Sequence, residues 1–317
     1  MTNRANNEER GKKALRDLEK ELGARDRKEK TRPWTIAAAS VAVLAALGGG
    51  IYFLANQSSN EEVTASGDDT SSESSTSETP EPVEAEPLSL ARTTPLPATV
   101  TCSYEEKEGE SDHFVGVPET DNVSTEGTVT VNLETSAGPI GMELDRSVAP
   151  CTVNAIEYLA GEKYFDGTVC HRLTTNEGLK VLQCGDPSGT GAGGPGFQFA
   201  NEYPTDEAAE NVDTSQIPAG LPEDQVEQYK QMLLQQESPV KYERGTIAMA
   251  NAGVGTNGSQ FFLNYGDSTL PPLYTYFGQI DDKGLETLDA IADKGVEGGQ
   301  ADGKPAEEVT ITSAKVA

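Results

Sequence analysis

Residues 249–263 read Met-Ala-Asn-Ala-Gly-Val-Gly-Thr-Asn-Gly-Ser-Gln-Phe-Phe-Leu, and this stretch decides the fold. Its beginning alternates small and apolar residues, its middle holds the glycine and asparagine of a tight turn, and its end is apolar. The pattern predicts a strand, a loop and a second strand, with Gln260 next to the aromatic pair Phe261-Phe262. An amide beside an apolar wall suits a groove for an extended peptide, although an ordinary buried hairpin has the same pattern.

A second set of motifs lies upstream and separates these two interpretations. Residues 170–173 read Cys-His-Arg-Leu, residues 181–187 read Val-Leu-Gln-Cys-Gly-Asp-Pro, and residues 189–196 read Gly-Thr-Gly-Ala-Gly-Gly-Pro-Gly. In this order the segments resemble the cyclophilin family of peptidyl-prolyl isomerases. That family carries an HR strand, a Q-x-G-D-P strand end, a G-T-G-x-G-G-P-G loop and an M-A-N-A-G-x-x-T-N-G-S-Q-F-F segment. The resemblance covers roughly residues 127–291, about half of the chain.

The resemblance implies a fold and an activity. The fold is mainly β, a closed eight-stranded antiparallel barrel capped by two helices, which suits a chain with many short strands. The activity is cis/trans isomerisation of X-Pro bonds, whose barrier of about 18 to 20 kcal/mol comes from the partial double bond of the amide. This chemistry needs no cofactor and no metal. A non-catalytic peptide-binding, chaperone or envelope scaffold module with the same groove is the alternative.

The resemblance also assigns roles to individual residues. Arg172 matches the catalytic arginine, whose guanidinium draws the nitrogen lone pair out of conjugation, and Gln183 matches the glutamine that steadies it and contacts the substrate. Seven further positions match the peptide-binding surface and the proline pocket. They are Val181, Ala250, Asn251, Gln260, Phe262, Leu270 and Tyr274.

One departure from the family pattern concerns the rim of the proline pocket. The tryptophan that other members carry there is absent: Thr269 takes its position when counted back from Phe277, and Leu270 when counted forward from Phe262. Val181 replaces a common methionine, in the same pocket region. Members with the tryptophan bind cyclosporin through it, so the sequence predicts a more open pocket and weak cyclosporin binding.

Composition excludes several other classes of function. The net charge of −28 and the isoelectric point near 4.3 argue against nucleic-acid binding, which needs clustered Lys and Arg. The chain has no G-x-S-x-G motif, and the glycine run of residues 189–196 lacks the G-K-[ST] of a phosphate loop. With two histidines, His113 and His171, and no C-x-x-C, a metal site is disfavoured.

The amino-terminal third predicts a membrane anchor. Residues 1–33 contain eleven Lys or Arg and seven Asp or Glu, a net charge of +4, and form a charged cytoplasmic tail. Residues 34–55 carry no charge, and about 20 apolar residues span a hydrocarbon core. The basic residues flank only the amino-terminal side, so the positive-inside bias places the remainder outside the cell membrane. A cleaved signal peptide is the competing interpretation.

Downstream of the anchor the sequence predicts a tether and one folded domain. Residues 56–99 are rich in Ser, Thr, Glu and Pro and poor in large apolar residues, which is typical of a disordered linker. Residues 100–317 form the isomerase domain, beginning with an extension stapled through Cys102. An insertion at about 208–241 contains a polar helix at 223–236, which either packs on the domain or binds a partner.

Four cysteines lie beyond the apolar segment and none before it. An even number in an exported domain indicates disulfides, and three connectivities are open from the sequence alone. The family resemblance brings the strands of Cys170 and Cys184 together, which leaves Cys102 to pair with Cys151. Elsewhere, periodicity predicts further elements. They are a hairpin at 128–133 and 142–146, helices at 150–160 and 285–292, and strands at 276–280 and 309–312.

The expected partners follow from these assignments. They are proline-containing peptides and unfolded exported proteins, together with the membrane through one transmembrane helix.

Overall fold

The computed structural model describes residues 85–107, 113–218 and 220–317, which contain sixteen strands and four α-helices. The strands are β1 Thr99–Val100, β2 Glu105–Glu106, β3 Val123–Ser124, β4 Thr128–Thr135, β5 Gly138–Asp145, β6 Thr168–Val169, β7 Arg172–Thr174, β8 Val181–Cys184, β9 Phe197–Gln198, β10 Val240–Tyr242, β11 Thr246–Met249, β12 Phe261–Asn264, β13 Ser268–Leu270, β14 Tyr276–Ile280, β15 Asp302–Gly303 and β16 Thr310–Val316. The helices are α1 Pro150–Gly161, α2 Thr205–Asn211, α3 Glu223–Leu234 and α4 Asp282–Lys294, and 3-10 turns lie at Thr214–Gln216 and Glu297–Gly299.

Ten strands form one antiparallel sheet in the order β15, β7, β8, β12, β11, β14, β5, β4, β16, β6. The predicted hairpin is confirmed as the pair β4–β5, which runs from Thr128↔Asp145 to Thr135↔Gly138. Along β4 the buried residues alternate with more exposed ones, because successive side chains of a strand point to opposite faces. One face of the sheet therefore lies against the core.

The sheet curls, but its hydrogen-bond ladder does not close within the described residues, so the expectation of a closed eight-stranded barrel needs correction. The ladder ends at β15 on one side and at β6 on the other. Strands β6 and β7 are separated only by Cys170 and His171, and the chain changes partner there. Before the break Thr168 pairs with Ile311 of β16, and after it Arg172 pairs with Gln183 of β8.

Two helices pack against this sheet, as predicted. Helix α1 begins with Pro150 at a position where no backbone donor is needed, and it buries Val153 and Ile156. Helix α4 begins three residues earlier than the apolar pattern indicates, because the Asp281 side chain accepts a hydrogen bond of 2.6 Å from the Gly284 N–H. Its inward residues include Leu288, which is buried.

The insertion packs on the domain. Helices α2 and α3 close a small apolar cluster of Val212, Leu233 and Leu234, with Leu273 of the main domain packed against it. Leu233 and Leu234 of α3 are buried in this cluster, whereas Met232 is exposed. Leu273 precedes Tyr274, so the insertion touches the loop that carries a predicted pocket residue.

The linker predicted for residues 56–99 ends earlier than the composition suggests. Residues 85–107, which we call the strap, lie against the domain: Leu88 is buried and its N–H donates to the Lys241 carbonyl. Arg92 donates to the Val148 carbonyl and to Asp206 of α2. The buried Leu88 and the ion pair of Arg92 with Asp206 hold this segment on the domain, although its composition resembles that of the predicted linker.

Both disulfides implied by the family resemblance are present. Cys102 joins Cys151 at the start of α1, and Cys170 joins Cys184 across the β7–β8 side of the sheet. The first bridge staples the strap to the domain, as predicted for the extension.

The predicted tail at 1–33, the transmembrane helix at 34–55 and the linker up to residue 84 lie outside the described residues. Among the helices of the described part, none combines the length and the apolar character that crossing a membrane requires.

Candidate active site

Three neighbouring strands place the central site residues in one row. In the ladder Arg172 of β7 is opposite Gln183 of β8, and Gln183 is opposite Phe262 of β12. Residues directly opposite one another in an antiparallel pair project from the same face of the sheet. Their neighbours Leu173 and Leu182 project from the other face and are fully buried. The row therefore lies on the face turned away from those two leucines.

The period of two extends the row into a surface. Val181 is two residues from Gln183, and Gln260 is two residues before Phe262, so both share the face of the row. Ala250 continues the line of Ala248, which is opposite Phe262 in the β11–β12 ladder. The sheet thus brings six of the nine predicted site residues onto one side.

A chain of hydrogen bonds runs across this surface. The Arg172 Nη1 donates to Gln183 Oε1 at 3.3 Å, and Gln183 Nε2 donates to Gln260 Oε1 at 2.9 Å. Gln260 Nε2 in turn donates to the carbonyls of Gly191 and Gly193, at 3.0 and 2.8 Å. Gln260 is oriented by the glycine loop, Gln183 by Gln260, and Arg172 by Gln183. The glycine loop therefore contributes to the direction in which Arg172 points.

The buried Asp186 shapes that glycine loop. Its carboxylate accepts from the Ser188 hydroxyl and from the backbone N–H groups of Thr190, Gly191 and Gly193, at 2.6 to 3.2 Å. Burial acts to raise the pKa of Asp186, but the hydrogen bonds from Ser188 and from the loop together hold it below its usual value. The loop is therefore ordered around a charged carboxylate rather than around a phosphate.

An aromatic cluster lies next to the row. The rings of Phe262 and Tyr274 meet edge to face with their centroids 5.7 Å apart, and Tyr242 packs on Phe262 from 6.3 Å. The Tyr242 hydroxyl donates to the Tyr274 carbonyl at 2.7 Å, which fixes the loop. Leu270 is half-buried against the core, whereas Thr269 is exposed. Of the two alternatives for the position of the missing tryptophan, Leu270 is thus the more buried and Thr269 the more exposed.

The loop after β11 offers backbone groups to a peptide. The side chain of Asn251 donates to the Leu273 carbonyl at 3.0 Å and accepts from the Gly253 N–H at 3.1 Å. Within the described ranges, no hydrogen bond uses the main-chain N–H or C=O of Asn251. Ala250 is tied by its N–H to the Gln260 carbonyl at 2.9 Å. The Asn251 side chain thus builds the loop, and its backbone is left for a ligand.

Arg172 has an ionic partner that no sequence pattern indicated. Its Nε and Nη2 donate to the two carboxylate oxygens of Asp302, each at 2.8 Å. Hydrogen bonding to Asp302 raises the pKa of Arg172 above its usual value, against the effect of burial. Burial raises the pKa of Tyr274, and the charge of Arg172 opposes this rise. Both residues stay in their ordinary forms at neutral pH, a cation beside a neutral phenol.

His171 lies under the glycine loop and is not part of the reactive face. Both ring nitrogens are buried and have no hydrogen-bond partner among the described residues. Burial lowers the pKa of His171, with Asp186 opposing the shift. The lowered pKa favours the neutral ring at neutral pH. The described ranges also contain no cluster of three or more His, Cys, Asp or Glu side chains able to hold a metal ion.

The sequence patterns missed three residues that build the site. Asp302 lies in a glycine-rich turn with no periodicity, and its carboxylate reaches Arg172 only because β15 pairs with β7. Asp186 lies in the segment 181–187, but nothing in the sequence indicated that its carboxylate orders the glycine loop. The Leu273 carbonyl accepts from both Asn201 and Asn251, a role that depends on the backbone alone.

Comparison with known proteins identifies the family. Residues 130–316 match the family model described as cyclophilin type peptidyl-prolyl cis-trans isomerase/CLD. The chain belongs to the cyclophilin family. The matched range is more than half of the chain and contains every predicted site residue and both Asp186 and Asp302.

Related proteins from mycobacteria are named as probable peptidyl-prolyl cis-trans isomerases. The chain is 49% identical over 213 residues to the probable peptidyl-prolyl cis-trans isomerase B of Mycobacterium tuberculosis, covering 67% of this chain and 62% of that protein. It is 46% identical over 218 residues to the probable isomerase B of Mycobacterium leprae, covering 68% and 67%. Thus the match spans less than two thirds of the M. tuberculosis protein.

A solved cyclophilin type isomerase from Cryptosporidium parvum aligns over 60% of this chain and 98% of its own length. The sequence identity is 27% and the TM-score is 0.42.

Proposed function

We propose that this protein is a peptidyl-prolyl cis/trans isomerase with its active site at Arg172. The observation that carries the proposal is the guanidinium itself, which is fixed next to an apolar pocket and still has donors to offer. Of its five N–H groups, two are taken by Asp302 and one by Gln183, and two have no partner among the described residues. A cation held in this way can act on a proline seated beside Phe262.

The proposed reaction proceeds by twisting the amide without breaking a covalent bond. As the bond twists, the prolyl nitrogen becomes pyramidal and more basic, so a donor aimed at it binds the transition state more tightly than either ground state. The pocket of Phe262, Leu270 and Tyr274 holds the ring, and the free backbone groups of Asn251 hold the peptide. Gln183 and Gln260 keep the guanidinium in place, which avoids reorganisation during the turnover.

A non-catalytic peptide-binding module is the second candidate, because the groove alone would serve it. Two observations favour catalysis over it. Arg172 is held from two sides, by Asp302 and by Gln183, and a purely apolar binding groove needs no such orientation. The family model match and the names of the mycobacterial relatives point in the same direction.

Substitution of Arg172 separates the two candidates. We expect Arg172→Ala to lower kcat by about a hundred- to a thousandfold, the usual effect of removing one transition-state donor, with little change in the Kd of the peptide. Arg172→Lys keeps a charge but loses the planar fork and should recover only part of the rate. The assay follows isomerisation of a proline peptide by the full-length protein and measures its Kd in parallel.

A matched control is available elsewhere on the surface. Arg244 makes the same kind of bidentate pair with Asp289, at 2.7 and 2.9 Å, and shares no hydrogen bond with Arg172, Gln183 or Gln260. Arg244→Ala should leave turnover unchanged. Native activity at background, or full activity in Arg172→Ala, would remove the catalytic assignment and leave the binding module.

We further propose that residues 34–55 anchor the chain in the cell membrane, with the isomerase domain outside and exported proteins as its substrates. The charge step across the apolar segment supports the orientation. The two disulfides support an oxidising compartment for the domain. Protease added to intact cells should remove the domain and leave residues 1–33 protected. Protection of the entire chain would reverse the assignment.

A further inference from the structure

The carboxylate of Asp302 is the one acidic group that the structure places on Arg172 among the described residues. Asp302 lies on the two-residue strand β15, where it pairs with Thr174 of β7, and Gly303 pairs with Leu173. This pairing brings the carboxylate alongside the guanidinium, which it meets through two parallel hydrogen bonds of 2.8 Å. Arg172 lies two residues before Thr174 on the same face of β7, so the pairing leaves the Asp302 carboxylate within reach of the guanidinium.

We propose that Asp302 is a positioning residue for turnover, which fixes the plane of the Arg172 guanidinium. This inference rests on the proposed function, because it concerns the same arginine. Asp302 takes Nε and Nη2, and Gln183 takes Nη1 from the neighbouring strand on the opposite side. Two fixed points on a planar fork leave one orientation for the remaining N–H groups. Those remaining groups are the ones available to the peptide.

Asp302 has two opposing effects on catalysis, and the structure indicates which is larger. A carboxylate partly cancels the positive charge, which weakens its pull on the prolyl nitrogen. It also removes rotational freedom from a long side chain, which favours the reactive geometry. The side chains of Arg172 and Asp302 are 28% and 45% exposed, so water screens the charge effect. The bidentate geometry is not screened in the same way, and orientation therefore prevails.

The expected effect of losing Asp302 is smaller than that of losing Arg172. Gln183 still holds one edge of the guanidinium, so the fork becomes mobile but stays in the site. A misplacement of about 1 Å costs up to roughly a hundredfold in rate, and a loosened donor should cost less. We expect Asp302→Asn to lower kcat by about five- to thirtyfold and to change the peptide Kd by less than about twofold.

The test uses full-length protein with an uncharged proline peptide, in three variants. Asp302→Asn keeps the size of the side chain but accepts only one of the two hydrogen bonds, and Asp302→Glu restores the fork and should recover part of kcat. Asp289→Asn removes the matched pair with Arg244 and should leave kcat unchanged. Rising salt should change the native kcat by less than Asp302→Asn does, because the orientation depends on two direct hydrogen bonds rather than on the screened charge.

Several outcomes would overturn the inference. One is a native or higher kcat in Asp302→Asn, which would mean that charge cancellation prevails. Another is a kcat of Asp302→Asn that falls no further than that of Asp289→Asn. A third is a loss of kcat in Asp302→Asn that is explained entirely by a loss of folding stability. Failure of the proposed function is distinct, because the native protein would then show only background turnover whatever the state of Asp302.

Discussion

The two disulfides should separate stability from activity when they are removed one at a time. Cys102 and Cys151 are 49 residues apart, and Cys170 and Cys184 are 14 apart, so the bridges close loops of 50 and 15 residues. In the chain-entropy model the longer loop contributes about 4 kcal/mol to the free energy of unfolding and the shorter about 3 kcal/mol. The double substitution of Cys102 and Cys151 to Ala should therefore lower the free energy of unfolding by about 1 kcal/mol more than the double substitution of Cys170 and Cys184.

Activity should follow the opposite order. Cys170 precedes β7 by two residues and Cys184 ends β8, and these strands carry Arg172 and Gln183. The ladder between the two strands contains only two residue pairs, so the bridge supplies much of their fixed spacing. We expect the double Ala substitution of Cys170 and Cys184 to lower kcat/KM by about tenfold, through small displacements of the guanidinium.

The two measurements are denaturant unfolding and proline-peptide turnover, made on the same preparations at a temperature where both variants stay folded. The variant without Cys102 and Cys151 should be the less stable one and should keep native turnover. If this variant instead loses activity while the variant without Cys170 and Cys184 keeps it, the argument from strand spacing is wrong. Equal losses of stability would contradict the dependence on loop length.

Two further predictions concern a buried acid and the pocket rim. Burial raises the pKa of Glu202 to about 7, although hydrogen bonds from Thr152 and Cys151 act to lower it. The protonated carboxyl therefore contributes to the free energy of unfolding fully below the ordinary pKa of 4.5, and this contribution is lost as the pH rises through 7. Glu202→Gln should reduce the fall in unfolding free energy across that window, by at most about 3 kcal/mol, and an unchanged pH profile by denaturant titration would refute the assignment. Placing Trp at Thr269 or Leu270 should tighten cyclosporin binding by roughly ten- to a hundredfold in calorimetry, and no gain at either position would mean that the sequence alignment is wrong here.

Much of the fold was predictable because it depends on local pattern. Apolar residues recur at every second position along most of the hairpin β4–β5, and helices α1 and α4 have regular apolar spacing, so each was found close to its observed bounds. The place where the ladder of the sheet ends was not predictable from local pattern. It depends on the change of partner at Cys170 and His171, where β6 pairs with β16 before the break and β7 pairs with β8 after it. No residue type marks such a change.

The site divides in the same way. Arg172, Gln183 and Phe262 lie inside motifs, and their common face follows from strand pairing. Asp302 is 130 residues away from Arg172 in sequence and reaches it only through the pairing of β15 with β7. The packing of Leu273 against the insertion likewise needs a long-range contact. Sequence patterns therefore indicated the residues of the shared face better than those that hold them in place.

The strap has a mechanical consequence for any pull on the amino-terminal chain. Tension from residue 84 would first act on the short pairing at Leu88 and on the Arg92 contacts with Asp206, which can peel off one after another. The Cys102–Cys151 bond then stops the peeling, because it ties the chain covalently to the start of α1. Beyond that point the force would pass into α1 rather than directly into β7 and β8, the strands that carry Arg172 and Gln183.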